Sequence, residues 1–100
     1  MFTVLYRWKI REGFERQFEE GWTEVTEHFL ANAGSLGSRL HKGNDGIWYA
    51  YAQWPSREQR DLAFFGEEIA EASRKMKDAV EERFPETELE IVADRLSPAG

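Results

Sequence analysis

The segment between residues 34 and 56 reads GSLGSRLHKGNDGIWYAYAQWPS, and it constrains the fold more than any other part of the chain. Its centre, residues 43–46, combines two glycines with asparagine and aspartate, which is typical of a tight turn between antiparallel strands. The flanking residues 35–42 and 47–54 have the composition of strands, the second of them rich in aromatic side chains and alanine. We therefore predict a β-hairpin at this position.

Amphipathic helix patterns lie on both sides of this hairpin. Before it, large apolar residues recur every three or four positions, which predicts a helix with one buried face, closed by Gly34 in the left-handed conformation. After it, Ser56 to Gln59 fit a capping box that starts a second helix. The Phe84-Pro85 step predicts the end of that helix, because a residue before proline is displaced from helical geometry. The apolar positions are Phe14, Phe18, Trp22, Val25 and Phe29 in the first helix, and Leu62, Phe65, Ile69, Ala72, Met76 and Val80 in the second.

Strand-like segments at residues 2–9 and 87–95 complete the order strand, helix, strand, strand, helix, strand. Because crossover connections are right-handed, this order places both helices on one face of a four-stranded antiparallel sheet. We predict a ferredoxin-like α+β fold, with residues 1–96 as a single domain and residues 97–100 as a disordered tail.

The first and third strands carry large side chains on both of their faces. On the first strand, Val4 and Tyr6 alternate with Leu5. On the third strand, Trp48 alternates with Tyr49. Two helices cover only one face of a sheet, so the opposite face needs another cover. We therefore expect a homodimer in which two sheets pack face to face.

Composition excludes several classes of site and partner. The chain has no cysteine, which rules out disulfides and thiolate metal ligands. Its formal net charge of −6 disfavours nucleic acid as a partner, because phosphate backbones are also anionic. Two histidines without a matching carboxylate pattern predict no metal site. The lack of a signal-peptide pattern and of about 20 consecutive apolar residues predicts a cytoplasmic protein that is not a membrane partner.

Three segments of the chain resemble the antibiotic biosynthesis monooxygenase superfamily of dimeric α+β barrels. They are Arg11-Glu12-Gly13 before the first helix, residues 34–40 (GSLGSRL) and residues 49–56 (YAYAQWPS). The resemblance spans residues 2–95. It implies a homodimer with one ligand pocket in each subunit, between the helices and the sheet.

Characterised members of that superfamily include oxygenases that act on polycyclic phenols or anthrones without metal, flavin or nicotinamide. The resemblance therefore implies that the protein needs no cofactor and that its partner is a small aromatic ligand. In such chemistry the protein holds a flat ring, excludes water and stabilises a developing anion. Haem-degrading members use an asparagine on strand 1 and a Trp/His pair on helix 2. This chain has Tyr6, Ala63 and Ser73 at those positions, which disfavours haem.

Candidate site residues combine aromatic side chains with groups that carry a proton or a positive charge. Tyr6 and His28 are predicted to handle protons, and Arg39 to stabilise an anionic oxygen. Each also has a structural interpretation: core packing for Tyr6, a half-packed position at the edge of the buried helix face for His28, and a salt bridge at the surface or a dimer interface for Arg39. The residues predicted to contact the substrate ring are Trp8, Trp22, Tyr51 and Trp54. Their spacing is equally typical of core residues or, for Tyr51, of a dimer interface.

The function predicted from these residues and the resemblance is cofactor-independent monooxygenation of a small aromatic or polycyclic phenolic substrate. One alternative is a non-catalytic dimeric domain that binds or sequesters a hydrophobic small molecule. Another is an isomerase or cyclase on the same scaffold, since one fold hosts many activities. Polar donors that face the pocket favour an enzyme over a binding domain. Consumption of O₂ separates the oxygenase from the isomerase.

Overall fold

The computed structural model describes residues 1–97, so residues 98–100 of the predicted tail lie outside the described part. The predicted α+β architecture is confirmed, with helices stacked on one face of an antiparallel sheet. The strands are Phe2–Ile10 (β1), Gly37–Lys42 (β2), Trp48–Trp54 (β3), Val80–Arg83 (β4) and Thr87–Leu89 (β5). The helices are Glu15–Asn32 (α1), Arg57–Ala63 (α2) and Ala70–Ala79 (α3), with a short 3-10 helix at Glu67–Ile69.

The sheet has the strand order β2-β3-β1-β4, which is the ferredoxin-like order expected from the sequence. The predicted hairpin is confirmed as β2 and β3, which pair antiparallel with Ser38 opposite Ala52. The long central strand β1 pairs with β3 along its whole length, from Phe2 opposite Trp54 to Trp8 opposite Trp48. These two central strands therefore position most of the large side chains that face the helices.

The final part of the sheet differs from the prediction of a single strand over residues 87–95. Two short strands, β4 and β5, follow one another along the same edge of β1. The Phe84 amide still donates to the Arg7 carbonyl at 3.1 Å, but Pro85 has no amide hydrogen and interrupts the pairing. The edge is therefore divided into two strands around Pro85.

The second helix also differs from the prediction, because it is broken into α2, the 3-10 helix and α3. At Gly66 the backbone is extended (φ −69°, ψ 133°), which stops helical geometry between Ala63 and Ile69. The break leaves Leu62 and Phe65 74% and 84% exposed, so these two residues are outside the apolar stripe that the sequence suggested.

The α1 helix ends as predicted, and its end is tied to α2. Gly34 has φ +78°, in the left-handed region that favours glycine. Ser56 caps α2 by accepting a hydrogen bond from the Gln59 amide at 3.2 Å. The Gln59 side chain does not close the capping box; it donates to the Ala33 carbonyl at 3.1 Å. A β-carbon at Gly34 would lie 1.8 Å from the Gln59 Nε2, so any larger residue there would displace this side chain from the Ala33 carbonyl, in addition to the strain of the positive φ.

The core consists of two separate clusters on the helix-covered face. One contains Trp8, Phe18, Ala50 and Ala79. The other contains Phe29, Trp54 and Ile69. Phe18 and Phe29 are both on α1, about three helical turns or roughly 16 Å apart along the axis. The α1 helix therefore contacts the sheet at two points and spans the space between them.

The opposite face of the sheet is only partly covered in the single chain. Leu5, Arg7 and Tyr51 are half-buried there. Thr3 is 1% exposed, yet its hydroxyl and the Arg7 Nε have no hydrogen-bond partner within residues 1–97.

No helix within residues 1–97 is both long enough and apolar enough to cross a membrane.

The close contact between α1 and α3 depends on Gly21. A β-carbon placed on this residue would lie 2.8 Å from the Ala72 carbonyl oxygen and 2.9 Å from the Met76 Cγ. Both distances are shorter than van der Waals contact, and the Ala72 oxygen belongs to the backbone. The two helices can approach this closely only because position 21 has no side chain.

We predict that Gly21→Ala destabilises the fold by about 1–3 kcal/mol, because α3 must move away from α1. Alanine favours a helix over glycine by about 1 kcal/mol, so a purely local effect would have the opposite sign. Urea denaturation measures the free energy of unfolding. The control variant Ala31→Gly, at an exposed position of the same helix, measures the difference in helix propensity between alanine and glycine. A Gly21→Ala variant more stable than the parent would contradict the tight contact.

Candidate functional site

A cavity of about 490 Å³ lies between the sheet and the helices, where neither core cluster fills the space. Its volume is within the range of roughly 300–1,000 Å³ typical of small-molecule sites. The sheet forms its floor, α1 forms one wall, and the segment from α2 to α3 forms the other. The apolar lining residues include Tyr6, Trp8, Ala52 and Trp54 from the sheet, Trp22, Val25 and Phe29 from α1, and Phe64, Ile69 and Met76 from the third side.

The space exists because small side chains occupy the middle of the floor. Ala52 on β3 and Ser38 on β2 are opposite each other in the strand register, and both line the cavity. Trp54 follows Ala52 at the next position of the same face, and Trp8 on β1 closes the other end. Large residues at both ends and small residues between them leave a depression suited to a flat ligand.

Aromatic rings form a continuous wall around this cavity. Tyr6 is stacked against Trp8 with ring centroids 5.9 Å apart, and against Phe64 at 6.5 Å. Phe64 is stacked against Phe29 at 5.5 Å, and Phe29 meets Trp54 edge-to-face at 5.2 Å. Ring pairs of this kind are worth about 0.5–1.5 kcal/mol beyond their burial. The wall is therefore a stable surface that offers ring faces and edges to a planar molecule.

One buried cation lies directly behind this wall. Arg60 on α2 is only 7% exposed, and its Nη1 donates to the Tyr6 hydroxyl oxygen at 2.9 Å. The same nitrogen donates to the Glu86 Oε2 at 2.9 Å, and the Arg60 Nε donates to the Asp61 Oδ1 at 2.8 Å. Burial alone lowers the pKa of Arg60, but its hydrogen bonds with Asp61, Tyr6 and Glu86 outweigh that effect and raise it. The guanidinium is therefore always charged.

The protonation state of Tyr6 follows from the same environment. Burial raises its pKa, whereas the hydrogen bond and the charge of Arg60 lower it; the negative charge of Glu86 raises it again. The net effect is a pKa above the ordinary value for tyrosine. At neutral pH Tyr6 is consequently a neutral phenol that can donate a hydrogen bond but cannot accept a proton as a base.

Two further cations lie at the rim of the cavity. Lys77 from α3 and Arg83 from β4 both line it, and both remain exposed to solvent. Positive charge at this position contrasts with the net charge of −6 for the whole chain. The rim therefore favours the approach of a ligand that carries an acidic oxygen.

The sequence matches the family model described as antibiotic biosynthesis monooxygenase over residues 1–81. The chain belongs to the antibiotic biosynthesis monooxygenase family. The resemblance seen in the sequence segments is thus confirmed for most of the chain. No sequence match was found among the curated proteins.

Solved structures with the same fold include proteins named as antibiotic biosynthesis monooxygenases, at low sequence identity. A Caulobacter crescentus CB15 protein provisionally given that name is 16% identical with a TM-score of 0.79, and the match covers 92% of this chain and 90% of that one. SnoaB from Streptomyces nogalater, a cofactor-independent oxygenase, is 14% identical with a TM-score of 0.76, and the match covers 97% of this chain and 96% of that one. At these identities the likeness shows a shared fold.

In this member of the antibiotic biosynthesis monooxygenase family, the structure brings together four of the candidate residues. Tyr6, Trp8, Trp22 and Trp54 all line the cavity. They come from two strands and one helix. The sequence pattern indicates which strand residues share a face, and the structure shows which of the two faces the helices cover. The Ala52 side chain lines the same space.

The other three candidate residues lie elsewhere in the described chain. Arg39 and Tyr51 are opposite each other in the register of β2 and β3, on the sheet face that points away from the helices. The Tyr51 hydroxyl accepts a hydrogen bond from the Gln53 side chain at 2.7 Å. His28 is on α1 outside the cavity lining, and the Asn32 amide nitrogen lies 3.3 Å from its Nδ1. Roles for these three residues in ligand chemistry stay predictions.

Arg60 and Glu86 were not among the residues singled out from the sequence. They are 26 positions apart, and no local pattern indicates that they form an ion pair. The capping box at Ser56 placed Arg60 in the first turns of α2, where an arginine is typical of a solvated helix surface. Phe64 was also missed, because the helical stripe favoured its neighbour Phe65.

We predict that Ala52→Leu fills the cavity floor and weakens the binding of a flat aromatic ligand at least tenfold, while the protein remains folded. The probe is 2-naphthol, whose saturable quenching of tryptophan fluorescence measures the dissociation constant. Ala31→Leu adds the same volume at an exposed position of α1 and is expected to leave binding unchanged. Equal affinity of the Ala52→Leu variant and the parent would show that ligands bind elsewhere.

Proposed function

We propose that this protein is a cofactor-independent monooxygenase that oxidises a small aromatic or polycyclic phenolic substrate, with anthrones as the test class. The main support for this proposal is the combination of an aromatic-walled cavity with one phenolic donor, Tyr6. Its hydroxyl oxygen already accepts a hydrogen bond from Arg60. Membership of the monooxygenase family and the likeness in fold to SnoaB, a cofactor-independent oxygenase, support the same reaction class.

The proposed reaction needs only the substrate and dioxygen as reactants. The CH₂ carbon of an anthrone loses a proton to give an electron-rich anion, which reacts with O₂ at that carbon. One oxygen atom stays on the carbon as a carbonyl group, and the other leaves as water together with the two hydrogens of the original CH₂. The substrate supplies all four electrons that reduce O₂, so the anthrone becomes an anthraquinone.

In this reaction the residues of the chain position the substrate ring and stabilise the negative charge that develops on its oxygen. The aromatic wall holds the ring and displaces water from it, which makes a fixed hydrogen bond more effective. Tyr6 donates to the substrate oxygen on which negative charge collects after the CH₂ proton is lost. Because burial keeps Tyr6 neutral, it serves as a donor in this scheme, and a different group must accept the first proton.

The alternatives differ from this proposal in what they require of the cavity. A domain that only binds a hydrophobic molecule requires aromatic walls and no directed donors. The lining of this cavity includes Tyr6, Lys77 and Arg83, which supports an enzyme over such a domain. An isomerase or cyclase requires donors and a base but no O₂, so oxygen consumption distinguishes it.

We predict that chelator-treated protein consumes O₂ when it is mixed with 1,8-dihydroxyanthrone, and that Tyr6→Phe lowers the turnover rate about 100-fold, as expected when a donor to a developing oxyanion is removed. The measurement uses an oxygen electrode, with heat-denatured protein subtracted. Tyr49→Phe is the matched control, because Tyr49 points to the opposite sheet face and bonds to Asp45.

The same assay tests the predicted proton-handling role of His28 through His28→Ala. Equal rates for Tyr6→Phe and the parent would refute the proposed role of Tyr6. Saturable quenching of the tryptophans without oxygen uptake would favour a binding domain or a non-oxidative enzyme over the oxygenase.

We also propose that the protein is a homodimer in which the opposite faces of two sheets pack together. Leu5 and Tyr51 are half-buried on that face in the single chain. Thr3 Oγ1 and Arg7 Nε are buried there without a hydrogen-bond partner within residues 1–97. Because these two atoms are already covered by the single chain, the support for a second copy comes from Leu5 and Tyr51, whose large side chains stay partly exposed on this face. Arg39, on the same face, is suited to an ion pair across such an interface.

We predict that light scattering in solution gives twice the chain mass of 11.7 kDa, and that Leu5→Glu shifts the protein toward the monomer by placing a carboxylate in the interface. Lys42→Glu, at an exposed position of β2, is the control for added negative charge. A monomeric parent protein at micromolar concentration would contradict the homodimer.

A further inference from the structure

Arg60 touches the cavity wall from behind without lining the cavity itself. Among the described residues, the lining includes its two neighbours Tyr6 and Phe64. Arg60 donates to the Tyr6 hydroxyl, and its guanidinium lies 5.2 Å from the centre of the Phe64 ring. A ligand in the cavity would therefore be separated from this cation by one layer of aromatic side chains.

The hydrogen bond between Arg60 and Tyr6 has only one possible direction. A guanidinium has five N–H donors and no acceptor, so the Tyr6 oxygen must be the acceptor. The Tyr6 hydroxyl proton is consequently not used in this bond. No other hydrogen-bond partner of the Tyr6 hydroxyl lies within residues 1–97. This proton remains available to a ligand that enters the cavity.

Arg60 is fixed in this orientation from several sides. Glu86 and Asp61 accept hydrogen bonds from its Nη1 and Nε at 2.9 and 2.8 Å. The Phe2 ring, with its centre 5.0 Å from the guanidinium, packs against it together with Phe64. A planar cation held by two carboxylates and two rings has little freedom to turn away from Tyr6.

We propose that Arg60 is a positioning residue that keeps Tyr6 as a hydrogen-bond donor toward the cavity, so that the site selects aromatic ligands with an acceptor oxygen at that position. Such an oxygen is a ketone carbonyl or a phenolate. A hydrocarbon ring of the same size leaves the Tyr6 hydroxyl proton without a partner in an apolar space, which weakens its binding. This inference rests on the proposed role of Tyr6 as the donor to the substrate.

Four charged groups face Tyr6 or its cavity, and they act in different directions on its ionisation. Arg60 on α2 and Arg83 on β4 favour the phenolate, whereas Glu86, between β4 and β5, opposes it. Lys77 on α3 adds a positive charge at the rim. Removal of the Arg60 charge should therefore make Tyr6 harder to ionise, and removal of the Glu86 charge should make it easier.

The experiment measures the ionisation of Tyr6 directly in the ligand-free protein. Tyrosine labelled with ¹³C at Cζ gives one NMR signal per tyrosine, and loss of a signal in Tyr6→Phe assigns Tyr6. We expect Arg60→Gln to raise the pKa of Tyr6 by about 1 and Glu86→Gln to lower it. Arg57→Gln is the matched control, since Arg57 is on the same helix, lies 4.9 Å from the same Phe2 ring, and pairs with Glu88 instead.

The result that would overturn the positioning role is a Tyr6 titration unchanged in Arg60→Gln, or one shifted equally in Arg57→Gln. If Arg60 serves only to hold α2 against the sheet, the Tyr6 titration should shift equally in Arg57→Gln. If Arg60→Gln does not fold, Arg60→Lys and Glu86→Gln answer the question, because Lys keeps the charge but replaces the planar fork of donor nitrogens with a single ammonium nitrogen. A Glu86→Gln variant in which Tyr6 titrates as in the parent would also overturn the proposal.

A second arm tests ligand selection with 9-fluorenone and fluorene, which differ in one carbonyl oxygen. Tryptophan quenching should show that the parent binds fluorenone about tenfold more tightly, and that Tyr6→Phe and Arg60→Gln reduce this preference. Equal affinity for the two compounds in the parent would overturn the selection of an acceptor oxygen. Neither arm uses oxygen consumption, so failure of the oxygenase proposal is distinguishable from failure of this one.

Discussion

The α1 helix is attached to the sheet at two separated points, and this arrangement creates the cavity between helix and sheet. Phe18 packs against Trp8 with ring centroids 4.9 Å apart, and Phe29 packs against Trp54 at 5.2 Å. Between these contacts α1 passes over a floor of small side chains that includes Ala52. A close-packed core would remove this space. The two aromatic contacts hold the helix above the sheet, and the cavity is the volume left between them.

The third side of the cavity depends on a buried charge. Arg60 would be costly to bury alone, but Glu86, Asp61 and the Tyr6 hydroxyl accept its hydrogen bonds. These contacts join α2 to β1 and to the turn after β4, and they hold Phe64 in the aromatic wall. Under the proposed function, stability and ligand recognition are therefore linked at this cluster, since the interactions that attach α2 also set the hydrogen bonding of Tyr6.

Sequence patterns were sufficient for the architecture because the fold follows from local signals. The turn at residues 43–46, the helical periodicity of α1 and the two-sided strands each indicate one element independently of the rest. The errors lie where tertiary contacts decide. Residues 80–83 join the sheet because they pair with β1, although their sequence continues a helical pattern. Gly66 ends helical geometry in a segment whose apolar spacing alone predicted a continuous helix.

The candidate site was predictable only in part, for a related reason. Strand alternation and helical periodicity indicate which residues share a face with Tyr6, Trp8, Trp22 or Trp54, but the position of the helices decides that these faces line the cavity. Arg39 and Tyr51 carry suitable chemistry, but the strand register directs them to the opposite face. Arg60 acquires its importance from Glu86 and Tyr6, which are distant in the sequence and meet only in the folded chain.

The most direct test of this account is a crystal structure of the protein with 1,8-dihydroxyanthraquinone, the stable product of the proposed reaction. The account predicts the ring system inside the cavity, against the wall formed by Phe29, Phe64 and Trp54. It also predicts a ligand oxygen within about 3 Å of the Tyr6 hydroxyl, while Arg60 still donates its hydrogen bond to Tyr6. A ring bound on the opposite sheet face, or one in the cavity with no oxygen near Tyr6, would contradict it.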